Sequence, residues 1–178
     1  MNPDISVVIP TFRRPGLLAE ALRSALAPSG VTLEVLVLDD SPEGSARDVI
    51  ASIEDPRVKY RKREVPAGGN PALVRNEGWR SVRGGCIHFL DDDDRGLPGV
   101  YREVVDAVKA HPRQGVAFGR VAPFGDDADA LAHERTVFSR AARRARLFQR
   151  WGSWRCVVAT ASIRALALAH GVRRGLGV

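Results

Sequence analysis

The sequence has little cysteine and no long uncharged apolar run. Its two cysteines, Cys86 and Cys156, stand in apolar surroundings, which is typical of reduced core thiols and gives no sign of a disulfide framework. The longest apolar stretch, residues 156–169, is interrupted by Arg164, so no membrane-spanning helix is expected. No charged segment with a cleavable apolar core precedes the first predicted strand, so no signal peptide is expected. These absences predict a cytoplasmic protein.

Acidic residues are missing from the last part of the chain, where none follows Glu134. Of the 178 residues, 44% are hydrophobic and 27% are charged, which excludes a disordered chain and predicts one globular domain over residues 1–178. The formal net charge of +6 and the pI near 10.1 favour an acidic partner. Such a partner is nucleic acid, an anionic membrane face or a phosphorylated small molecule.

Much of the positive charge lies in one segment, residues 135–150. A surface built for nucleic acid would be less confined, and no nucleic-acid-binding motif is recognisable, so no nucleic-acid partner is expected. Three interpretations stay open: a solvated helix or loop, a basic amphipathic stretch in peripheral contact with an anionic membrane, and a surface that faces a diphosphate from the acceptor side. The arginines are Arg135, Arg140, Arg143, Arg144, Arg146 and Arg150, and an apolar stripe at helical spacing comprises Val137, Ala141, Ala145 and Phe148.

Strand-forming and amphipathic helical stretches alternate along the chain. Strands are predicted over 5–10, 33–38, 58–61, 86–90 and 116–119, and helices from 15, over 45–53, from 71 and over 97–111. This alternation predicts an α/β domain whose mainly parallel sheet is flanked by helices and joined by right-handed crossovers. The helix from Pro71 is expected to bury Leu73, Val74, Trp79 and Val82.

Polar residues follow three of the predicted strands at their carboxyl ends: Pro10-Thr11, Asp39-Asp40 and the run Asp91 to Asp94. Ligands of parallel sheets bind outside those ends, so we expect the three clusters to meet in one site. Four adjacent carboxylates repel one another unless a cation neutralises them, and hard oxygen ligands favour Mg²⁺ or Mn²⁺ together with phosphate oxygens. A solvated acidic turn that caps the next helix is the alternative.

Four segments within residues 5–120 resemble the glycosyltransferases of family 2, which have the GT-A fold. They are VVIPTFRR (7–14), LVLDDS (36–41), GGN followed by VRNEG (68–78) and FLDDDD (89–94). Each motif alone is weak, but their order and spacing together are specific. The resemblance implies a Rossmann-like GT-A fold and a metal-dependent transfer with inversion. The donor would be a nucleoside-diphosphate sugar, most often of uridine, and the acceptor a hydroxyl of a glycan or a lipid-linked molecule.

The resemblance also implies a set of site residues. The nucleotide-sugar-binding residues would be Pro10, Thr11, Arg14, Asp39, Asp40, Gly69, Arg75, Asp91 and Asp92, and the ligands of Mn²⁺ or Mg²⁺ would be Asp91 and Asp93. Asp39 matches the position that accepts a hydrogen bond from the base, and Asp40 is its structural companion. Asp92 fills a variable position and is expected to be solvated. Without the resemblance, Asp39 and Asp40 would be interpreted as an Asx turn at the end of a strand, Arg75 as an arginine on the surface of a helix, and Gly69 as part of a simple turn.

Inverting members of the family carry a general base on an acidic motif downstream of the metal site, where it deprotonates the acceptor hydroxyl. No acidic residue follows Glu134 here, so no catalytic residue is assigned. The carboxylates of Asp126, Asp127 and Asp129 lie in a loop that is expected to be solvated. We therefore expect residues 1–122 to form the nucleotide-sugar-binding half, and residues 123–178 to form a truncated acceptor-side half.

Two alternatives to a glycosyltransferase remain open. One is a nucleotide-sugar-binding module with little or no transfer, which the missing base favours. The other is a sugar nucleotidyltransferase, but such an enzyme needs a glycine-rich loop after the first strand, and residues 11–14 do not form one.

Overall fold

The structure is a computed structural model that describes residues 1–27, 29–112 and 122–136. Its regular elements are β1 (Ile5–Thr11), α1 (Pro15–Leu26), β2 (Leu33–Asp39), α2 (Arg47–Ile53), β3 (Val58–Lys62), α3 (Pro71–Gly78), a 3-10 turn (Trp79–Ser81), β4 (Cys86–Phe89) and α4 (Val100–Ala110). The chain divides into two compact units, Met1–Asp106 and Ala107–Val178. In the second unit, residues 128–136 are helical. The predicted division into halves at residue 122 stays a prediction.

The first unit contains a parallel sheet with the strand order β3-β2-β1-β4. β1 and β2 are paired along their whole length, so Thr11 lies opposite Asp39 at their carboxyl ends. β4 pairs with the other edge of β1, with Phe89 opposite Val8. The predicted α/β class and parallel sheet are therefore confirmed. The predicted strand 116–119 lies outside the described residues.

The sheet buries apolar side chains on both faces, because β1 and β2 are hydrophobic at successive positions. Ile5, Val7 and Ile9 of β1 pack in one core with α1 and α4, whereas Val8 belongs to a second core with α3. Helix α1 buries the residues that its spacing predicts, namely Leu18, Ala21, Leu22 and Ala25. None of the helices among the described residues is long and apolar enough to cross a membrane.

Helix α3 packs very closely on the sheet at Gly78. A Cβ atom at this position would lie 2.4 Å from Cγ1 of Val8 and 3.0 Å from Cδ1 of Leu38, so the close approach requires glycine. Only part of the predicted apolar face of α3 is buried. Val74 lies in the core, but Leu73 and Trp79 are 52% and 44% exposed. The prediction was wrong for these two. Leu73 is turned about 100° around α3 from the buried Val74, and Trp79 lies beyond the end of α3, in the 3-10 turn.

We expect Gly78→Ala to lower the free energy of unfolding by about 1–3 kcal/mol, since the added methyl group must displace Val8 or separate α3 from the sheet. Urea denaturation measures the change. The matched control is Gly16→Ala in α1, where a Cβ would meet nothing within 4 Å and the better helix former should leave stability unchanged or raised. Equal stability of the two variants would contradict this account of the α3 contact.

Candidate functional site

The carboxyl ends of β1, β2 and β4 open into one cleft of about 250 Å³. Its lining residues are Pro10, Thr11, Phe12, Arg14, Asp40, Gly69, Pro71, Val74, Arg75, Asp91, Asp92 and Asp93. The structure therefore brings together every residue of the predicted site except Asp39. Parallel pairing explains the convergence, because strands that run in one direction end at one edge of the sheet.

Asp92 connects the acidic run to β1. Its Oδ2 accepts a hydrogen bond of 2.8 Å from the hydroxyl of Thr11, a contact that spans 81 positions of the chain. Asp92 is only 6% exposed, and burial raises the pKa of its carboxyl. The expectation of a solvated residue was wrong for Asp92, because the chain after β4 turns this side chain inward against the end of β1.

Two arginines form ion pairs with carboxylates in the cleft. Arg14, at the start of α1, donates from Nη1 to Asp93 at 2.9 Å and to Asp92 at 3.3 Å. Arg75, on α3, donates to Oδ1 of Asp91. The guanidinium group offers several N–H donors in a fixed plane and suits carboxylates and phosphates equally well. The cleft thus already contains two cationic groups of the kind that bind a diphosphate.

The fourth aspartate of the run shows how concentrated the negative charge is. The pKa of Asp94 is raised to about 6, first by burial and then by the charges of Asp91 and Asp93, which outweigh the positive charge of Arg75. Its backbone N–H donates to the carbonyl of Asp91 at 3.1 Å, so the run folds back as a tight turn. Burial and the neighbouring carboxylates therefore act in the same direction on this carboxyl.

Asp91, Asp92 and Asp93 provide the hard oxygen donors that Mg²⁺ and Mn²⁺ prefer. Within the part of the chain that the structure describes, no three acidic, histidine or cysteine side chains are arranged to hold a metal ion. Mg²⁺ commonly takes only one or two carboxylates from a protein and its other ligands from water and substrate phosphates.

Asp39 is fully buried and does not line the cleft. Its carboxylate accepts hydrogen bonds from the backbone N–H of Ser41 at 2.9 Å, from that of Ala46 at 2.9 Å and from the hydroxyl of Tyr60 at 3.1 Å. The charge is used to hold the loop from β2 to α2. The geometry gives no support to the predicted contact between Asp39 and a base.

Asp40 is the member of the pair that lines the cleft, although it is only 2% exposed. Its Oδ1 accepts hydrogen bonds from Nη1 of Arg63 at 2.5 Å and from the backbone N–H of Ala67 at 2.6 Å, and its Oδ2 accepts one from the backbone N–H of Gly69 at 3.1 Å. Burial raises the pKa of Asp40, but the hydrogen bonds from Ala67, Arg63 and Gly69 outweigh this and leave it below its usual range. Asp40 is therefore ionised at neutral pH and lines the cleft as a hydrogen-bond acceptor.

Sequence reasoning missed Arg63 and Tyr60, which hold the two aspartates. No sequence motif marks Arg63. The register of β3 in the structure puts Lys62 opposite Asp39 and hence Arg63 beside Asp40.

A profile of the family described as "Glycosyl transferase family 2" matches residues 6–169, well over half of the chain. The chain belongs to glycosyltransferase family 2. This confirms the resemblance seen in the four motifs, although the contribution of each site residue stays a prediction.

Individual relatives share part of the chain. "Succinoglycan biosynthesis protein ExoO" of Rhizobium meliloti (strain 1021) is 34% identical over 108 residues, which are 61% of this chain and 30% of that protein. "GalNAc(5)-diNAcBac-PP-undecaprenol beta-1,3-glucosyltransferase" of Campylobacter jejuni is 32% identical over 119 residues, which are 66% of this chain and 38% of that protein. The match thus spans about a third of the length of these relatives.

A solved structure, S. aureus TarS 1-349 in complex with UDP-GlcNAc, superposes with a TM-score of 0.52 at 25% identity over 63% of this chain and 32% of that chain. With the parallel sheet and its flanking helices, this confirms the predicted GT-A fold.

We expect Asp39→Asn to lower the free energy of unfolding by about 1–3 kcal/mol, because the new amide N–H₂ would face donors and leave a buried N–H or O–H without an acceptor. Thermal or urea unfolding measures the loss. Asp48→Asn, which changes an exposed carboxylate on α2, is the control and should leave stability within about 0.5 kcal/mol. If Asp39→Asn kept full stability but abolished nucleotide binding, Asp39 would be a base contact after all.

Proposed function

We propose that the chain forms the donor-binding part of a metal-dependent glycosyltransferase that uses a nucleoside-diphosphate sugar, most often of uridine, and transfers the sugar with inversion. The observation that carries this proposal is the convergence of Asp91, Asp92 and Asp93 with Arg14 and Arg75 at one end of the sheet. The fold and the family support it, as does the UDP-GlcNAc bound to TarS. The name of the C. jejuni relative supports a glycan or lipid-linked acceptor.

The nucleoside would lie against Pro10, Thr11 and Asp40. An ionised carboxylate accepts a hydrogen bond from a ring N–H and repels a ring nitrogen that carries only a lone pair. We therefore assign the base contact to Asp40, and to Asp39 the task of fixing the loop beside it. Gly69 lies beside Asp40 with φ of +79° and no atom within 4 Å of an added Cβ, so its conformation, rather than crowding, favours glycine.

The diphosphate would lie at the acidic end of the cleft, between Arg14 and Arg75. Asp91 and Asp93 would hold Mn²⁺ or Mg²⁺ together with phosphate oxygens, and the bound ion would act as a Lewis acid that stabilises the charge of the leaving diphosphate. The two guanidinium groups can supply hydrogen bonds to the same phosphates once their carboxylates have another cation. These residues position the leaving group and do not take part in a covalent intermediate.

Transfer with inversion also needs a general base for the acceptor hydroxyl. The acidic residues of the segment 123–136, namely Asp126, Asp127, Asp129 and Glu134, are exposed, and we assign none of them as the base. A nucleotide-sugar-binding module without transfer is the second candidate, because no carboxylate among the described residues is assigned as that base. Donor binding without glycosylation of any acceptor and without slow donor hydrolysis would select it. The membrane contact of residues 135–150 stays a prediction that falls almost wholly outside the described residues.

The proposal is tested by the unfolding midpoint in the presence of UDP, GDP, CDP or dTDP, each with and without Mn²⁺. A ligand at 100 times its Kd stabilises by about 2.7 kcal/mol, so a true ligand should raise the midpoint by several degrees. We expect this rise with one class of base and only when Mn²⁺ is present. Failure of all four nucleotides to stabilise the protein would refute donor binding.

Asp93→Ala should remove the dependence on Mn²⁺ together with most of the nucleotide affinity, because one of the two proposed protein ligands is lost. Isothermal titration of UDP with and without Mn²⁺ measures both effects. The control is Asp48→Ala, which removes a carboxylate far from the cleft lining and should titrate as the wild type. If Asp93→Ala kept the metal-dependent affinity of the wild type, the proposed metal site would be refuted, whereas nucleotide binding would stand.

A further inference from the structure

Arg63 lies just beyond β3 and joins three elements. Its backbone N–H donates to the carbonyl of Asp39 at 2.9 Å, which fixes the residue beside the end of β2. Its side chain, 13% exposed, donates from Nη1 to Asp40 at 2.5 Å and from Nε to Glu77 of α3 at 2.7 Å. The guanidinium is thus anchored on one side by α3 and presents its other side to Asp40.

These contacts occupy most of the hydrogen-bonding capacity of Asp40. A carboxylate offers about four acceptor positions, and Arg63, Ala67 and Gly69 already fill three of them. Two of the three donors meet Oδ1 and one meets Oδ2. The remaining position is therefore on Oδ2, and the residue lines the cleft.

We propose that Arg63 is a positioning residue that sets the base selectivity of the site, by holding Asp40 as an oriented carboxylate with one acceptor position left for a ring N–H. The proposal rests on the donor-binding function proposed above. Uracil, thymine and guanine carry an N–H in the middle of their pairing edge, whereas cytosine and adenine carry a lone pair there. The site should admit the first class and reject the second.

The charge of Arg63 matters as well as its geometry. Without a guanidinium beside it, the buried carboxyl would take up a proton more readily, because burial disfavours the charged form. A protonated Asp40 offers an O–H, and the ring nitrogen of cytosine or adenine can accept it. Removing Arg63 should therefore weaken the preferred base and strengthen the rejected one, which a loss of structure alone would not do.

Glu77 has a second arginine partner, which supplies a matched control for this inference. It also pairs with Arg61, whose Nη2 lies 3.1 Å from Oε1 of Glu77 and donates to Ser81 at 3.2 Å. No contact between Arg61 and Asp40 is present among the described residues. Arg61→Met therefore removes an ion pair with Glu77 from the same strand end and leaves the partners of Asp40 in place.

The test is isothermal titration, with Mn²⁺ present, of two pairs of diphosphates matched in ring size: UDP against CDP, and GDP against ADP. In the wild type we expect one N–H base to bind about 10- to 100-fold more tightly than its partner, as for a hydrogen bond to a charged group. Arg63→Met, which keeps an apolar stem for packing, should reduce that ratio to about 3-fold or less. Arg63→Lys should retain most of the wild-type ratio of affinities, and Arg61→Met should leave that ratio unchanged.

Each outcome bears on a different claim. If the wild type binds none of the four diphosphates, the proposed function fails. If the wild type is selective and Arg63→Met keeps its ratio, or loses affinity for both members of a pair equally, the inference about Arg63 is overturned and the proposed function stands. Should Arg63→Met not fold, Arg63→Gln takes its place, with the same loss of ratio expected and the same result overturning the inference.

Discussion

Parallel pairing of β1 with β2 and with β4 brings five aspartates of the chain to one edge of the sheet: Asp39, Asp40, Asp91, Asp92 and Asp93. So many carboxylates cannot share a partly buried region without partners, because their repulsion grows as water is removed. The surrounding structure supplies a partner for each. Asp39, in the interior, accepts hydrogen bonds from backbone N–H groups and from a tyrosine hydroxyl. The aspartates that line the cleft accept hydrogen bonds from a hydroxyl and from guanidinium groups. The nearby loops and the starts of two helices are arranged around this requirement.

The two adjacent aspartates after β2 show how neighbouring residues divide two tasks. Successive side chains of an extended segment point to opposite sides, so Asp39 and Asp40 face different surroundings. Asp39 satisfies the loop that leads into α2, and Asp40 satisfies the loop that leads into α3 while lining the cleft. The first carboxylate stabilises the loop beside the site, and the second lines the cleft. Asp40 keeps its position through its own hydrogen bonds with Arg63, Ala67 and Gly69.

The succession of strands and helices along the chain and the edge at which the polar clusters meet could be predicted from the sequence, because each depends on hydrophobic periodicity and on the direction of parallel strands. The roles within the clusters could not. Whether Asp39 or Asp40 faces the cleft depends on the phase of the strand ending, and the burial of Asp92 depends on Thr11, a residue 81 positions earlier. Arg63 carries no motif, so its contact with Asp40 follows only from the register of β3. Trp79 was misplaced because the chain passes from α3 into a 3-10 turn at this residue, where the spacing of an α-helix no longer applies.

Charge balance couples the two ligands of the proposed reaction. Four carboxylates and two guanidinium groups line the cleft, so it carries net negative charge even when Arg63 is counted with them. A nucleoside diphosphate brings further negative charge, and electrostatic repulsion would oppose its entry alone. A divalent cation alone would find Asp91 and Asp93 already paired with arginines. Under the proposed function each ligand would therefore improve the site for the other, because a cation held by Asp91 and Asp93 would leave Arg14 and Arg75 available to the phosphates. By linkage, nucleotide must raise the affinity for the cation by the same factor as the cation raises the affinity for nucleotide.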